Sequence, residues 1–283
     1  MRFDQDYAER YYDPALPEFA HFPETIANWE AKSAAALASL NGKMNLAYGP
    51  GDANSLDLFI PSRQPAPLLL HIHGGLWIMC DKRETWFHAQ NFNDKGMGFA
   101  GLNYSLAPAV PLSRIVEEVC EAVAFLYRNA AKLGIDPDAI YLSGHSAGGH
   151  LACMAALADW RGTYGLDANP VKAVLSISGI HDLEPLLYAD FLRPLINLSP
   201  ENMAHLSPAR HSAPDGVKLV TAVGGMENSE YKRQTDLIAN AWPTCFAQRI
   251  FMPERHHGTM VDALSEENSP LFLAALNMMR EGS

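Results

Sequence analysis

The decapeptide Tyr141-Leu142-Ser143-Gly144-His145-Ser146-Ala147-Gly148-Gly149-His150 is where this chain most openly offers chemistry. An apolar run from Ala139 to Leu142 leads into Gly144-x-Ser146-x-Gly148, and a small-residue run from Leu151 to Leu157 follows. That order spells a strand, a sharp turn carrying a serine, and a helix. The flanking glycines suit a turn so tight that bulky neighbours would strike the helix behind it. The turn lifts the hydroxyl above the sheet edge, and the helix N-terminus beneath favours developing negative charge. For acyl chemistry the chain must also supply a base, an acid and donors for an oxyanion.

The donors are expected in His71-Ile72-His73-Gly74-Gly75-Leu76-Trp77, at the end of the third apolar strand. A glycine pair after a strand lets the main chain aim its amides into a site with no Cβ in the way. The amides of Gly75 and Leu76, with that of Ala147 after the serine, are the expected oxyanion hole. His73 reads as a brace for this loop. A rival reading makes His71 and His73 a metal pair, because residues two apart on a strand share a face. It lacks a third histidine or a carboxylate cluster at ligand spacing, so no metal and no cofactor is expected.

The acid and base should follow the serine, acid first and histidine last. Val223-Gly224-Gly225-Met226-Glu227 places Glu227 in the loop above the seventh strand, where a carboxylate could orient a histidine tautomer. Asp182, after the sixth strand, competes for that role. Arg255-His256-His257-Gly258 follows the eighth strand, so either His256 or His257 is the candidate base.

Eight short apolar runs, mostly separated by helical patterns, position these groups: 45–48, 56–60, 68–72, 98–104, 139–143, 173–178, 218–223 and 246–252. They predict one doubly wound α/β sheet, mostly parallel, with helices on both faces. Pro111 opens a helix with Ile115, Val119, Val123 and Leu126 on one face, stopped by Gly134. Residues 1–43 read as a helical arm rich in aromatics, with Gly42 ending its last helix, that packs on the body and could extend over the site as a lid. Residues 180–214, too long for an ordinary loop, read as a small helical cap. No repeat or low-complexity linker divides the chain, so 1–283 is expected to be a single domain.

A net charge of −11 argues against nucleic acid and anionic membrane surfaces. No apolar run reaches 18 residues, and the polar, acidic start shows no signal-peptide core. Cys80, Cys120, Cys153 and Cys245 are far apart with no C-x-x-C pair, so the cytoplasm is the expected compartment. A small-molecule substrate is the expected partner, and the sequence leaves a homo-oligomer open.

With these motifs placed, the chain resembles the α/β-hydrolase type of kynurenine formamidase (arylformamidase) and the small carboxylesterases related to it. The resemblance runs from about Asn45 to Leu264. It rests on His73-Gly74-Gly75-Leu76-Trp77, matching that family's HGGxW, and on Gly144-His145-Ser146-Ala147-Gly148. Ser178-Gly179-Ile180-His181-Asp182-Leu183-Glu184-Pro185 and Asn228-Ser229-Glu230-Tyr231-Lys232-Arg233-Gln234 match as well. By position it implies Ser146 as nucleophile, Glu227 as acid and His257 as base, the last because the family's histidine immediately precedes the Gly258-Thr259-Met260-Val261-Asp262 run. Relatives often carry Asp where this chain has Glu227, one methylene shorter. Gly74, Trp77 and His145 are expected to line the substrate pocket. The activity implied is cofactor-independent release of a formyl group from an arylamine such as N-formylkynurenine. A short-chain carboxylesterase is the alternative, and a hydrolase scaffold that only binds ligand is a third reading.

Overall fold

Eight strands form one sheet in the computed structural model, which describes residues 2–13, 15–16 and 19–281. Two helices come first, α1 (Gln5–Tyr12) and α2 (Phe22–Leu37), and then β1 (Gly42–Ala47), β2 (Ser55–Phe59) and β3 (Ala66–Ile72). α3 (Ala89–Asp94), β4 (Gly98–Leu102), α4 (Leu112–Arg128), α5 (Ala130–Leu133), β5 (Ile135–His145) and α6 (Ala147–Ala156) follow. The chain ends through β6 (Val171–Ile177), α7 (Pro200–Met203), β7 (Lys218–Gly224), α8 (Ser229–Ala241), β8 (Phe246–Met252), α9 (Thr259–Ala263) and α10 (Pro270–Glu281). The strand order is β1-β2-β4-β3-β5-β6-β7-β8. β1 with β2 and β2 with β4 run antiparallel, and every later pair is parallel.

The apolar runs are continuous because both faces of the sheet are covered. Along β3, Leu68, Leu70 and Ile72 pack into one core with Val119 and Val123 of α4 and Leu151 of α6. Leu69, between them, points to the opposite core with Phe92 of α3 and Phe272 and Met279 of α10. Helices therefore lie on both sides of an α/β-hydrolase sheet, with the strand C-termini left open for loops.

Two expectations are corrected. The helix of the arm ends at Leu37, and Gly42 begins β1. The helix opened by Pro111 breaks at Asn129, whose side-chain Nδ2 donates to the carbonyl of Phe125 at 2.8 Å; α5 then runs to Gly134, which caps it at φ 78°. The 180–214 segment is helical in part, in short turns. It holds 3₁₀ turns at Glu184–Tyr188 and Pro208–Arg210 and the four-residue α7, because Pro185, Pro194, Pro200 and Pro208 interrupt any longer helix. Among the described residues, no helix is long and apolar enough to cross a membrane.

The arm is fastened at its α1 end by one buried carboxylate. Glu230, at the start of α8, accepts hydrogen bonds from Tyr7 Oη, from Tyr12 Oη at 2.6 Å and from Gln234 Nε2 at 2.8 Å. Arg233 closes on the same carboxylate through Nε at 2.6 Å and Nη2 at 2.8 Å. Asn228 Nδ2 adds a bond to the carbonyl of Tyr11 at 3.1 Å. The aromatic excess at the N-terminus is thus partly a docking device.

Candidate active site

β5 delivers Ser146 into a backbone conformation that few residues adopt, φ 56° and ψ −118°. Strain of this kind, about 1–3 kcal/mol, persists only where the surroundings enforce it. Here Ser146 N–H donates to the carbonyl of Ile177 at 2.9 Å, and its own carbonyl receives Gly149 and His150 from the first turn of α6. The two glycines of the motif are places of contact. A Cβ at Gly144 would lie 2.1 Å from the carbonyl oxygen of Gly148, and one at Gly148 would lie 2.0 Å from that of Ile72. The elbow closes only without them.

His257 stands in the loop between β8 and α9, and its Nδ1 lies 2.6 Å from Glu227 Oε1. The other carboxylate oxygen of Glu227 accepts from Ser178 Oγ at 2.8 Å and from the amide of Gly224. Glu227 is 4 % exposed, so its charge is held by these three donors in place of water. An imidazole that gives Nδ1–H to a carboxylate presents Nε2 as a base. Ser146 and His257 line the same cavity. His256 does not; its amide donates to Thr259 Oγ1, and its carbonyl accepts from Met260 and Thr259. Asp182 is engaged elsewhere, with Arg210 Nε at 3.2 Å and Arg233 Nη2 at 3.7 Å.

Gly75, Leu76 and Trp77 run through three successive positive φ values, 96°, 50° and 62°. Gly75 tolerates no side chain, since its Cβ would meet the carbonyl oxygen of Met79 at 2.4 Å. Among the described residues, no protein group accepts a hydrogen bond from the amides of Gly75, Leu76 or Ala147. Such amides are free to receive an oxyanion. The loop is braced from behind. His73 Nδ1 bonds the carbonyl of Gly74 at 2.9 Å, Tyr104 Oη donates to the carbonyl of His73 at 3.0 Å, and the two rings stack 4.3 Å apart. Burial lowers the His73 pKa to about 4 and that of His71 to about 3, so both are neutral. His71 instead bonds Ser143 Oγ at 2.9 Å. Among the described residues, no three metal-binding side chains cluster.

The geometry places the three expected pocket residues differently. His145 lines the cavity, and its Nε2 donates to the carbonyl of His257 at 3.0 Å, tying the histidine loop to the serine elbow. Burial, and then the neighbouring His257, hold its pKa well below the usual histidine range. Gly74 borders a small second cavity behind the loop. Trp77 is fully buried in the core, edge-on to His150 at 5.0 Å, because its positive φ turns the side chain under the loop. It lines neither cavity.

The main cavity is ≈ 370 Å³, and most of its wall was not singled out from sequence. The arm contributes Tyr12, Phe19, Ala20, Phe22 and Pro23, the glycine loop adds Leu76, Ile78 and Met79, and α8 adds Tyr231. Tyr231 lies 4.1 Å from the His257 ring, and Phe19 meets that ring edge-on at 5.9 Å. No residue of 180–214 reaches the cavity. The aromatic arm, read from sequence as a possible lid, supplies Tyr12, Phe19, Ala20, Phe22 and Pro23 to this wall.

The comparisons with known proteins agree with this architecture. The BD-FAE family model matches residues 56–224, more than half of the chain. A kynurenine formamidase from Danio rerio is 28 % identical over 246 residues, covering 83 % of this chain and 81 % of its own. Esterase LipQ from Mycobacterium tuberculosis is 35 % identical over 150 residues, which span 49 % of this chain and 35 % of that protein. Among solved structures, a candidate thioesterase from Silicibacter sp. tm1040 superposes with a TM-score of 0.80 at 30 % identity, over 94 % of this chain and 97 % of its own. The chain belongs to the BD-FAE family and is an α/β-hydrolase of the esterase and amidase class.

Proposed function

We propose that this protein is a serine hydrolase that removes a small acyl group, a formyl group first among them, from an aromatic leaving group. The observation that carries the reading is the Glu227–His257 contact of 2.6 Å beside a strained, cavity-lining Ser146. In this scheme His257 Nε2 takes the proton of Ser146 as Oγ attacks the acyl carbon. The amides of Gly75, Leu76 and Ala147 receive the oxyanion, and Glu227 stabilises the imidazolium. His257 then protonates the leaving amine, and water releases the acyl group by the same route. Beyond the hydrolytic water, every step uses groups of this chain. Aromatic walls from Tyr231, Phe19 and Phe22 suit an aryl leaving group, and Leu76 beside the oxyanion hole suits a short acyl chain.

A short aryl or alkyl ester is the second reading, favoured by the same apolar walls and by the esterase relative. Steady-state kcat/KM for formanilide against phenyl acetate separates the two, because the leaving rings match. A comparable or higher value for formanilide is expected. An ester preference above about a hundredfold, roughly 2.7 kcal/mol, would exclude the formamidase assignment. A pure binding role predicts that a fluorophosphonate probe leaves Ser146 unlabelled, and labelling is the expected result. The free cysteines fit a reducing compartment, which is the basis for placing the protein in the cytoplasm.

The arm offers a separate check on the substrate wall. Tyr12→Phe keeps the ring but deletes the bonds to Glu230 and Gln234. A lost buried hydrogen bond costs about 1 kcal/mol, so trypsin should cut at Arg10 about fivefold faster. KM should rise severalfold with kcat nearly unchanged, since the arm touches substrate and not the reacting atoms. A fall in kcat at constant KM would show that the arm does more than form a wall.

A further inference from the structure

The same cavity also selects the charge state of its leaving group, an inference that rests on the proposed hydrolase function. Among the described residues lining the ≈ 370 Å³ space there is no Lys, Arg, Asp or Glu, although the chain carries 21 Lys and Arg and 32 Asp and Glu. Apart from Ser146, His257 and the oxyanion-hole amides, two polar side chains at the wall are already committed. Tyr12 Oη donates to Glu230 and accepts from Gln234 Nε2 at 3.0 Å. His145 Nε2 is spent on the carbonyl of His257, and burial keeps that ring neutral. Arg233, two residues beyond the lining Tyr231, is closed bidentately on Glu230 and stacks 5.1 Å from the Phe3 ring. Hydrocarbon and aromatic faces supply the rest of the wall.

A free ammonium or carboxylate brought into such a space loses water and finds no counter-charge among the described lining residues, and each is costly to bury unpaired. We propose that the leaving group is an uncharged arylamine or phenol, and that the site discriminates against aryl amino acids, whose side chains carry both charges. In the reaction the acyl carbon gains a bond to Ser146 Oγ as its bond to the aryl nitrogen or oxygen breaks. The serine proton passes through His257 to that atom, and one water then supplies hydroxyl to the acyl group and a proton back to Ser146. Phe19, Phe22 and Tyr231 thereby act as specificity-determining residues, through what they exclude as much as what they contact.

Two formamides with the same reacting centre test this. 2′-Formamidoacetophenone is N-formylkynurenine shorn of its amino-acid head, so their kcat/KM ratio reads the penalty of the charges alone. The uncharged compound should be preferred by more than about a hundredfold. Ala20 lines the cavity and is exposed, so a longer side chain there has solvent to occupy. Ala20→Arg supplies a cation for the carboxylate and should shrink the ratio about tenfold, whereas Ala20→Gln, similar in length and uncharged, should leave it in place. A wild-type ratio within tenfold of unity would overturn the inference and leave the hydrolase standing. A ratio that Ala20→Arg does not move would overturn it too, since the penalty would then not come from buried charge. Failure to hydrolyse either formamide or phenyl acetate, with no fluorophosphonate labelling, would overturn the hydrolase function and this inference with it.

Discussion

Ser146→Ala should lower kcat by on the order of 10⁶ while leaving the thermal midpoint nearly unchanged. The magnitude follows from the division of labour at the elbow. Without Oγ there is no covalent intermediate, and His257 has no proton to accept. The free amides of Gly75, Leu76 and Ala147 still polarise a bound carbonyl, so a residual advantage over water of about 10³–10⁴ should survive. The stability expectation has a separate basis. Alanine keeps the Cβ and the amide that donates to Ile177, and Ser146 Oγ anchors no other described residue. The positive φ is imposed by Gly144, Gly148 and the packing of α6, not by the hydroxyl. Paired measurements of single-turnover acyl release and of melting would check both halves. Retention of more than about a hundredth of kcat would move the nucleophile elsewhere.

The frame of this site was legible in the sequence for a reason that the structure displays. Strands buried on both faces are near-continuous apolar runs, so β3, β4, β6 and β7 announce themselves without an alternating pattern. The elbow and the glycine loop were legible because their glycines answer a steric demand within a few residues. Glu227 and His257 were legible as loop positions above β7 and β8, where chain order limits the choice. What the sequence hid are contacts between remote segments. Ser178 reaches Glu227 from 49 positions away, and the Glu230 latch joins α8 to tyrosines 218 and 223 positions earlier. Trp77 misled for a local reason, since adjacency to Gly75 puts it near the site on paper while its backbone turns it into the core. The length of the 180–214 segment does not say which way it folds, and none of its residues lines the cavity.

Glu227→Ala should cost about 10⁴ in kcat, whereas Asp182→Ala should cost less than about tenfold. The two carboxylates both follow sheet strands and both carry buried oxygens, so position alone does not rank them. Their partners do. Glu227 Oε1 meets His257 Nδ1, fixing the tautomer that leaves Nε2 toward the cavity; the Asp182 side chain faces Arg210 and Arg233 and joins the network around Glu230. Loss of Glu227 frees the imidazole to put its proton on Nε2, where it blocks serine deprotonation, and removes the charge that stabilises the imidazolium. It also strands Ser178 Oγ and the Gly224 amide, two buried donors whose lost acceptor costs about 1–3 kcal/mol of stability each. Ser178→Ala should therefore fall between the extremes, lowering kcat about tenfold by loosening the carboxylate without removing it. Asp182→Ala should show the opposite balance, a lower melting temperature from the lost contacts to Arg210 and Arg233 with near-normal turnover. Measured together under one assay, a kcat loss for Asp182→Ala as large as that for Glu227→Ala would transfer the acid to the loop after β6. The Glu227–His257 contact would then be structural, and the pathway of proton transfer would need a different orienting group.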